Sequence, residues 1–398
     1  MIHFFGGYWI LRHLPKEKTV AEYIIKTLYG LEEVLEAELH QLGIRHTERL
    51  NRAVKIEGSR EDLYRCNLQL RTALSVLKPI ASFYAHHENQ LYKRVRRINW
   101  EDYLGLHQTF AINSTANSQI FTHSKFAALK TKDAIVDQFR DKYGERPSVD
   151  TQNPDLLIDL HISDKLVSLS LDSSGTTLDR RGYRTERTEA PINEVLAAGM
   201  LALSGWEPGQ ALLDPMCGSG TIAIEAAMMA AGIPPGINRH FAFEKWPDFD
   251  EEKWKELKHE LKTAKPPDIP LIFARDADPH ALRLARQNAR RAGVEDWIHF
   301  ENANFFESAP PMPGCRLIMN PPYGQRLQPG SMQDFYKKIG DTLKSNYQGS
   351  EAWIISANLQ DLKFVGLRPS RKIKLFNGSL ECRFQKYELY AGSRKKRE

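Results

Sequence analysis

Residues 212–227 constrain the fold more than any other stretch of this sequence. The apolar residues 211–213 indicate a short buried strand, Asp214 closes it, and Gly218 and Gly220 turn the chain into an alanine-rich amphipathic helix. Glycines at such a turn carry no side chain that would keep a ligand from the backbone, and the free amides at a helix start favour an electron-rich or anionic group. The stretch therefore predicts a strand, a tight loop and a helix that bind a small cofactor.

Two other kinds of glycine loop fit this stretch poorly. The Gly-x-Gly-x-x-Gly spacing of dinucleotide-binding loops is missing, and no Gly-Lys-Ser/Thr follows, as a phosphate loop would need. A plain turn, in which the glycines only let the helix pack on the strand, stays open as an alternative at this point.

A second signal lies further along the chain, where the largely apolar run 316–319 ends in Asn320, Pro321, Pro322 and Tyr323. The two prolines stiffen the chain just past the carboxyl end of a strand, where open α/β sheets bind their ligands. The Asn320 amide oxygen and the Pro321 carbonyl can accept hydrogen bonds from one NH2 group, and Tyr323 offers a flat face for a planar base. Two such acceptors would localise the lone pair of an exocyclic amine and aim it at a methyl donor.

Residues 214–220 (Asp-Pro-Met-Cys-Gly-Ser-Gly) and 320–323 (Asn-Pro-Pro-Tyr) together resemble motifs I and IV of class I S-adenosylmethionine-dependent methyltransferases that act on exocyclic nitrogen. The continuation to Leu327 (Gly-x-Arg-Leu) is similar to the THUMP-domain RNA methyltransferases, and among them to the bacterial 23S rRNA guanine-N2 methyltransferases. The resemblance covers about residues 20–392. It implies an α/β fold: a seven-stranded, Rossmann-like class I methyltransferase sheet preceded by a ferredoxin-like and THUMP α+β RNA-binding region.

The resemblance also implies the roles of individual residues. Asn320 and Pro321 would orient the amine, Pro322 would stiffen the loop and Tyr323 would stack on the base. S-adenosylmethionine would be bound by residues that follow three strands of the sheet: Asp214, Pro215, Cys217, Gly218, Gly220, Thr221, Asp276, Ala277, Asn304 and Phe305.

One of these cofactor contacts is supported by side-chain chemistry, and another comes from the resemblance alone. A carboxylate at the end of the second strand can take both ribose hydroxyls, for which Asp276 is the first choice and Asp278 the second. Asn304 stands where relatives often carry an aspartate that bonds the adenine amino group. An asparagine can still accept such a bond through its carbonyl oxygen.

Composition restricts the class of protein. A net charge of +5 permits a polyanionic partner without requiring one. Cys66, Cys217, Cys315 and Cys382 are scattered without a Cys-x-x-Cys pair, so the sequence indicates neither a metal site nor a disulfide framework, and a reducing cytoplasm fits. No apolar run approaches membrane-spanning length. Because the chain ends before a second methyltransferase domain would fit, we expect a single modification; the oligomeric state stays open.

We expect five segments. They are an N-terminal ferredoxin-like region (1–65), a THUMP RNA-binding domain (66–172), a linker (173–190), a class I methyltransferase domain (191–392) and a basic tail (393–398). Periodicity in the first half predicts strands at 23–27, 54–56, 111–114, 156–162 and 166–171, a strand-like run at 71–83, and helices at 31–42, 61–70 and 125–143. An insertion at 232–270 could be a lid or could serve packing.

Seven basic residues are candidates for contact with RNA phosphates. They lie in a dense cluster, at the start of a helix and in the linker: Lys93, Arg94, Arg96, Arg97, Lys125, Arg181 and Arg184. The competing interpretation is an ordinary solvated helix face and, for the last two, a plain linker.

Several other functions remain open from the residues alone. The tetrad at 320–323 would suit methylation of adenine N6 in a nucleic acid as well as methylation of guanine N2. A guanine target could also belong to transfer RNA instead of ribosomal RNA. A protein glutamine methyltransferase uses the same tetrad on a side-chain amide, although the basic amino-terminal half argues against it. A non-catalytic RNA-binding protein is the alternative from another class, and the intact glycine loop and tetrad speak against it.

Overall fold

The computed structural model describes residues 20–184, 192–263, 271–322 and 331–390, which form two β-sheets with their helices. An eight-stranded sheet occupies the amino-terminal half and a seven-stranded sheet the carboxyl-terminal half. In these four ranges no helix is both long and apolar enough to cross a lipid bilayer.

The first sheet is mixed and has the strand order β2-β3-β1-β4-β8-β7-β5-β6. Its strands are β1 (Ala21–Thr27), β2 (Thr47–Leu50), β3 (Ala53–Gly58), β4 (Ala73–Tyr84), β5 (Thr109–Asn117), β6 (Ser148–Val149), β7 (Leu156–Ser163) and β8 (Leu166–Asp172). Its helices are α1 (Glu32–Gln41), α2 (Arg60–Gln69), α3 (Glu88–Val95) and α4 (Ser124–Tyr143). The twelve-residue strand β4 pairs with β1 on one side and with β8 on the other. One continuous sheet therefore runs through this half.

The second sheet has the order β11-β10-β9-β12-β13-β15-β14. Its strands are β9 (Leu212–Asp214), β10 (Ile272–Asp276), β11 (Ile298–Asn302), β12 (Arg316–Met319), β13 (Glu351–Ser356), β14 (Arg371–Asn377) and β15 (Leu380–Glu388). The first five are parallel, whereas β15 is antiparallel to both β13 and β14. Its helices are α5 (Glu194–Ser204), α6 (Thr221–Ala230), α7 (Glu251–Thr263), α8 (Pro279–Ala292) and α9 (Ser331–Asn346).

Alternate residues of the central strands face opposite layers. Leu212 and Ile318 belong to the core under α5, α6 and α8, while Leu213, Leu317 and Met319 belong to the core under α9. Buried side chains on both faces explain why these strands read as continuous apolar runs. The strand order changes direction between β9 and β12, and ligands bind at such a switch point in open α/β sheets.

The predicted elements and the fold class are confirmed, with three omissions. The sequence analysis missed β2, whose side chains are exposed or half-buried, the two-residue strand β6, and α3, whose basic residues were noted without a helix. A hairpin at Asn377 and Gly378, a sequence pair typical of two-residue turns, joins β14 to β15, and Gly378 adopts a φ of +62°.

The insertion at 232–270 serves packing in its described part. Phe243 stacks on Tyr64 with 4.6 Å between ring centroids, and Trp254 packs edge-on against Phe243 at 5.2 Å. Tyr64 belongs to α2 of the first sheet, and its hydroxyl accepts a hydrogen bond of 2.9 Å from the backbone of Asp250. These buried contacts join the two halves. Residues 264–270 lie outside the described ranges.

Candidate active site

A cavity of about 480 Å³ opens at the carboxyl ends of β9, β10 and β12. The switch point of the sheet thus contains most of the residues that the sequence predicted for the cofactor and the reaction. Those on the cavity wall are Asp214, Pro215, Cys217, Gly218, Thr221, Asp276, Ala277, Asn304, Phe305, Asn320, Pro321 and Pro322. Tyr323 lies outside the described residues.

The glycine loop is held in place by the neighbouring strand and helix. The Cys217 amide donates to the Arg275 carbonyl at 2.9 Å, and the Gly218 amide donates to Oδ2 of Asp276 at 2.8 Å. Nδ2 of Asn288, a fully buried residue of α8, donates to the Ser219 carbonyl at 3.0 Å. Gly218 has a φ of +52°, and a Cβ placed on it would meet nothing within 4 Å. The backbone of Gly218 is therefore open to a ligand, as the sequence predicted.

Gly220 has a packing role that the structure makes visible. A Cβ on Gly220 would lie 2.9 Å from the Cβ of Ala285 in α8, so this glycine permits close packing of α6 and α8. Among the described residues it does not line the cavity. The alternative role for glycine, helix packing, thus applies to Gly220, and its contact with the cofactor stays a prediction.

The carboxylate of Asp276 lies where the ribose hydroxyls were expected. Its Oδ1 accepts from the Asp278 amide at 2.9 Å and its Oδ2 from Gly218. Two carboxylate oxygens offer about four acceptor positions, so Asp276 can accept further bonds. Asp278, the second choice, instead accepts from the His280 amide at 2.8 Å and begins α8.

Asp214 is a buried acid with one free oxygen. Its side chain is 1% exposed, and Oδ1 has no hydrogen-bond partner among the described residues. Burial raises the pKa of this carboxyl well above its usual range, and the nearby Asp276 raises this pKa further. A buried acceptor beside the open backbone of Gly218 and the carboxylate of Asp276 fits a ligand with amine and hydroxyl donors, such as S-adenosylmethionine.

Asn304 already uses part of its hydrogen-bonding capacity. Its Oδ1 accepts from the Phe306 amide at 3.1 Å, and its Nδ2 donates to Glu307 at 2.8 Å. One lone pair and one amide hydrogen remain for a ligand. The asparagine thus begins the short 3-10 turn Phe305–Glu307 and still borders the cavity.

Two aromatic residues of the wall were missed by the sequence analysis. Phe305, which was predicted, is 2% exposed and stacks on Tyr347 at 5.3 Å. Phe306 and Phe335 also line the cavity, in an edge-to-face contact of 5.6 Å. Phe306 could have been found from its position, because it follows the predicted third strand of the sheet, and residues after parallel strands lie at the same edge.

Asn320 follows β12 and reaches the same cavity. Its Oδ1 is buried and has no partner among the described residues. A buried amide oxygen without a donor is costly, and a ligand with an N–H group would satisfy it. Pro321 and Pro322 lie next to it on the wall, as expected from the sequence.

The residues predicted to contact RNA fall into two groups: exposed side chains, and side chains that already bind other groups of the protein. Lys93, Arg94, Arg97 and Lys125 are exposed. Arg96 is half-buried, pairs with Asp141 and donates to the Tyr92 hydroxyl at 3.1 Å.

The structure corrects the prediction for the two linker arginines. The side chain of Arg181 is 2% exposed and lies 3.4 Å from that of Glu225, which is fully buried. Arg184 donates to Oγ1 of Thr221 at 2.6 Å and to the Ile192 carbonyl at 3.2 Å. Arg181 also donates to the carbonyls of Leu178 at 2.7 Å and Arg71 at 2.5 Å, so the acceptors of both guanidinium groups lie within the protein.

Three family models match the chain. Residues 181–386 match the RMKL-like methyltransferase domain, residues 85–172 the THUMP domain, and residues 22–77 the RlmL ferredoxin-like domain.

Two relatives and one solved structure illustrate the range of similarity. A candidate RNA methyltransferase of Synechocystis sp. (slr0064) is 40% identical over 94% of this chain and 98% of its own. The ribosomal RNA large subunit methyltransferase K/L of Syntrophotalea carbinolica is 38% identical over 90% of this chain, which spans only 52% of that relative. The crystal structure of SMU.472, a candidate methyltransferase complexed with SAH, aligns with a TM-score of 0.83 at 30% identity over 94% of this chain and 99% of that one.

The family matches agree with the two sheets, the glycine loop at the switch point and the Asn-Pro-Pro sequence beside it. The chain therefore belongs to the RMKL-like family of S-adenosylmethionine-dependent methyltransferases and carries a ferredoxin-like and a THUMP domain ahead of its methyltransferase domain.

Proposed function

We propose that this chain methylates an exocyclic base nitrogen of RNA, and that the base is a guanine of the large-subunit ribosomal RNA modified at N2. The observation that carries the proposal is the buried Oδ1 of Asn320, which has no partner among the described residues and belongs to the wall of the cavity that Gly218 and Asp276 share. An acceptor there, next to the Pro321 carbonyl, suits an NH2 group that must be drawn out of conjugation.

Each residue of the site has one task in this proposal. S-adenosylmethionine, when bound, supplies a methyl group on a sulfonium. Asp276 would hold the ribose hydroxyls, and Asn304 the adenine edge. Asn320 and Pro321 would orient the acceptor amine, so that its lone pair faces the methyl group. Tyr323, beyond the described residues, would stack on the base.

The choice of RNA rests on the amino-terminal half. A THUMP domain spans residues 85–172, and exposed cations on α3, just after it and at the start of α4 offer phosphate contacts: Lys93, Arg94, Arg97 and Lys125. Relatives named for the large ribosomal subunit favour ribosomal over transfer RNA, although the chain spans about half of their length. Guanine N2 follows from the resemblance of residues 320–327. Ribosomal RNA as substrate and four free cysteines favour action in the cytoplasm.

The first test is mass spectrometry of nucleosides from 23S, 16S and transfer RNA of cells with and without this gene. We expect N2-methylguanosine to fall in the 23S fraction and to return when the wild-type gene is restored. The gene for Asn320→Ala serves as the matched control, and it should not restore the nucleoside.

Other outcomes point to other functions. A loss of N6-methyladenosine would move the target to adenine, and a loss confined to transfer RNA would move the substrate. Unchanged nucleosides in all three fractions would contradict the proposal and favour a protein glutamine or a binding function.

A further inference from the structure

The helix that follows the glycine loop is held at three points by arginines from outside the methyltransferase sheet. Near its carboxyl end, Arg71 donates to the carbonyls of Met228 at 3.1 Å and Ile233 at 2.7 Å. In its middle, Arg181 pairs with Glu225. Helix α6 is therefore bound to residues that precede the sheet in sequence.

The third contact is at the first turn, where the cofactor loop meets α6. Arg184 donates to Oγ1 of Thr221 at 2.6 Å. Thr221 is the first residue of α6, and its N-cap, Gly220, offers no side chain to cap the helix. The orientation of this turn thus depends on Thr221 and on what Thr221 contacts.

Thr221 also lies on the wall of the cavity, next to Gly218 and Ser219. A hydroxyl can accept two hydrogen bonds and donate one. Because the Arg184 guanidinium can only donate, it occupies an acceptor position of the Thr221 hydroxyl and leaves the O–H to donate, either to a ligand or to the Ser219 hydroxyl at 3.4 Å. Arg184 is itself held by the Ile192 carbonyl and by Glu194 at 3.4 Å.

We propose that Arg184 is a positioning residue of the cofactor site: it orients the Thr221 hydroxyl and the first turn of α6 beneath the glycine loop. Its contribution is therefore to cofactor affinity, from a residue that precedes the methyltransferase sheet in sequence. The inference requires only the cofactor, so it stands apart from the proposed RNA target.

The test compares cofactor and RNA binding in the full chain. We expect Arg184→Ala to weaken SAH binding about tenfold by calorimetry without RNA, the size of effect typical of losing a hydrogen bond to a charged group. The SAH affinity of Arg184→Lys should lie between those of the wild type and Arg184→Ala, because one ammonium group cannot reach all three partners of the guanidinium. Arg180→Ala is the matched control, since Arg180 is exposed in the same segment, and it should bind SAH like the wild type.

A double-mutant cycle separates positioning from general loss of structure. If Arg184 acts through Thr221, then Thr221→Val should weaken SAH binding, and adding Arg184→Ala should weaken it by less than threefold more. If the double variant lost SAH affinity by the full product of the two single losses, the result would contradict the proposal. Unchanged SAH affinity in Arg184→Ala, together with weakened RNA binding, would return Arg184 to the role of an RNA contact. Should Arg184→Ala fail to fold, Arg184→Lys with and without Thr221→Val gives the same comparison.

Discussion

The Gly218 amide donates a hydrogen bond of 2.8 Å to Oδ2 of Asp276, which joins the glycine loop to the end of the neighbouring strand. The two parts of the cofactor site are thus coupled before any ligand arrives. A carboxylate that accepts two backbone amides is held in one orientation, which reduces the entropy cost of binding a diol.

The two glycines of the loop should respond differently to alanine. Gly220→Ala forces a methyl group to 2.9 Å from Ala285 at a φ of +82°, so we expect it to destabilise the protein by about 2–4 kcal/mol. Gly218→Ala meets no atom within 4 Å and should cost only about 1–2 kcal/mol of backbone strain. It should nevertheless weaken SAH binding. Urea unfolding and calorimetry test both, and equal losses of stability would contradict the assignment of Gly220 to helix packing.

Asn320 should matter for transfer and little for cofactor affinity. Because its Oδ1, without a partner in the described part of the chain, is assigned to the acceptor amine, Asn320→Ala should lower the rate of methyl transfer by about 10²–10³ while SAH affinity stays within about twofold. Asn320→Asp, which keeps an acceptor of the same reach, should retain more activity. Single-turnover assays with 23S RNA measure the rate, and unchanged turnover in the alanine variant would remove Asn320 from the mechanism.

Arg181 and Glu225 form a buried pair whose members should not tolerate separate removal. Losing one partner leaves an uncompensated charge, so Arg181→Met should cost about 3–5 kcal/mol of unfolding free energy. The double variant Arg181→Met/Glu225→Leu should lose clearly less unfolding free energy than the sum of the losses in the two single variants. Chemical denaturation of the three variants checks this, and additive losses would show that the pair does not act as a unit.

Asp172 should make stability depend on pH. Burial raises the pKa of this carboxyl from 3.8 to about 7, while the Ser174 amide, which donates to it at 2.9 Å, acts in the opposite direction. The folded state therefore keeps a proton that the unfolded state releases, and stability falls as the pH rises from about 4 to 7. Asp172→Asn should remove the share of this carboxyl in the dependence and stabilise the protein relative to wild type by about 2–4 kcal/mol more at pH 8 than at pH 4, while Glu194, whose pKa is also raised to about 7, keeps its own share. A constant difference across that range, in denaturation at several pH values, would contradict it.

The exposed cations of the α3 region should control the salt dependence of RNA binding. Replacing Lys93, Arg94 and Arg97 by alanine should weaken binding of all RNAs alike and flatten the plot of log affinity against log salt by about 0.7–0.9 for each lost phosphate contact. Arg96→Ala is the control, because its guanidinium is already paired with Asp141 and should change the slope less. Filter binding at several salt concentrations measures the slope. An effect of Arg96→Ala as large as that of the triple variant would contradict this division.

The parts of the site that could be predicted from the sequence are those that follow strands. Asp214, Asp276 and Asn320 each come directly at or after an apolar run, and parallel strands end at the same edge of a sheet. The functions of Arg181 and Gly220 could not be predicted, because their partners Glu225 and Ala285 lie on helices whose packing no local pattern reveals. Strand β2 was missed for a related reason: its side chains lack a fully buried face.

The long strand β4 has a consequence for the cooperativity of unfolding in the amino-terminal half. Residues 22–77 match one family model and residues 85–172 another, yet β4 gives its first residues to β1 and most of its length to β8. The gap between the two matches, residues 78–84, lies within β4, so the ladder of hydrogen bonds passes from one matched region to the other without interruption. Local unfolding of either matched region would break hydrogen bonds that the shared strand makes with the other. We therefore expect the amide hydrogens of the two regions to exchange as one cooperative unit.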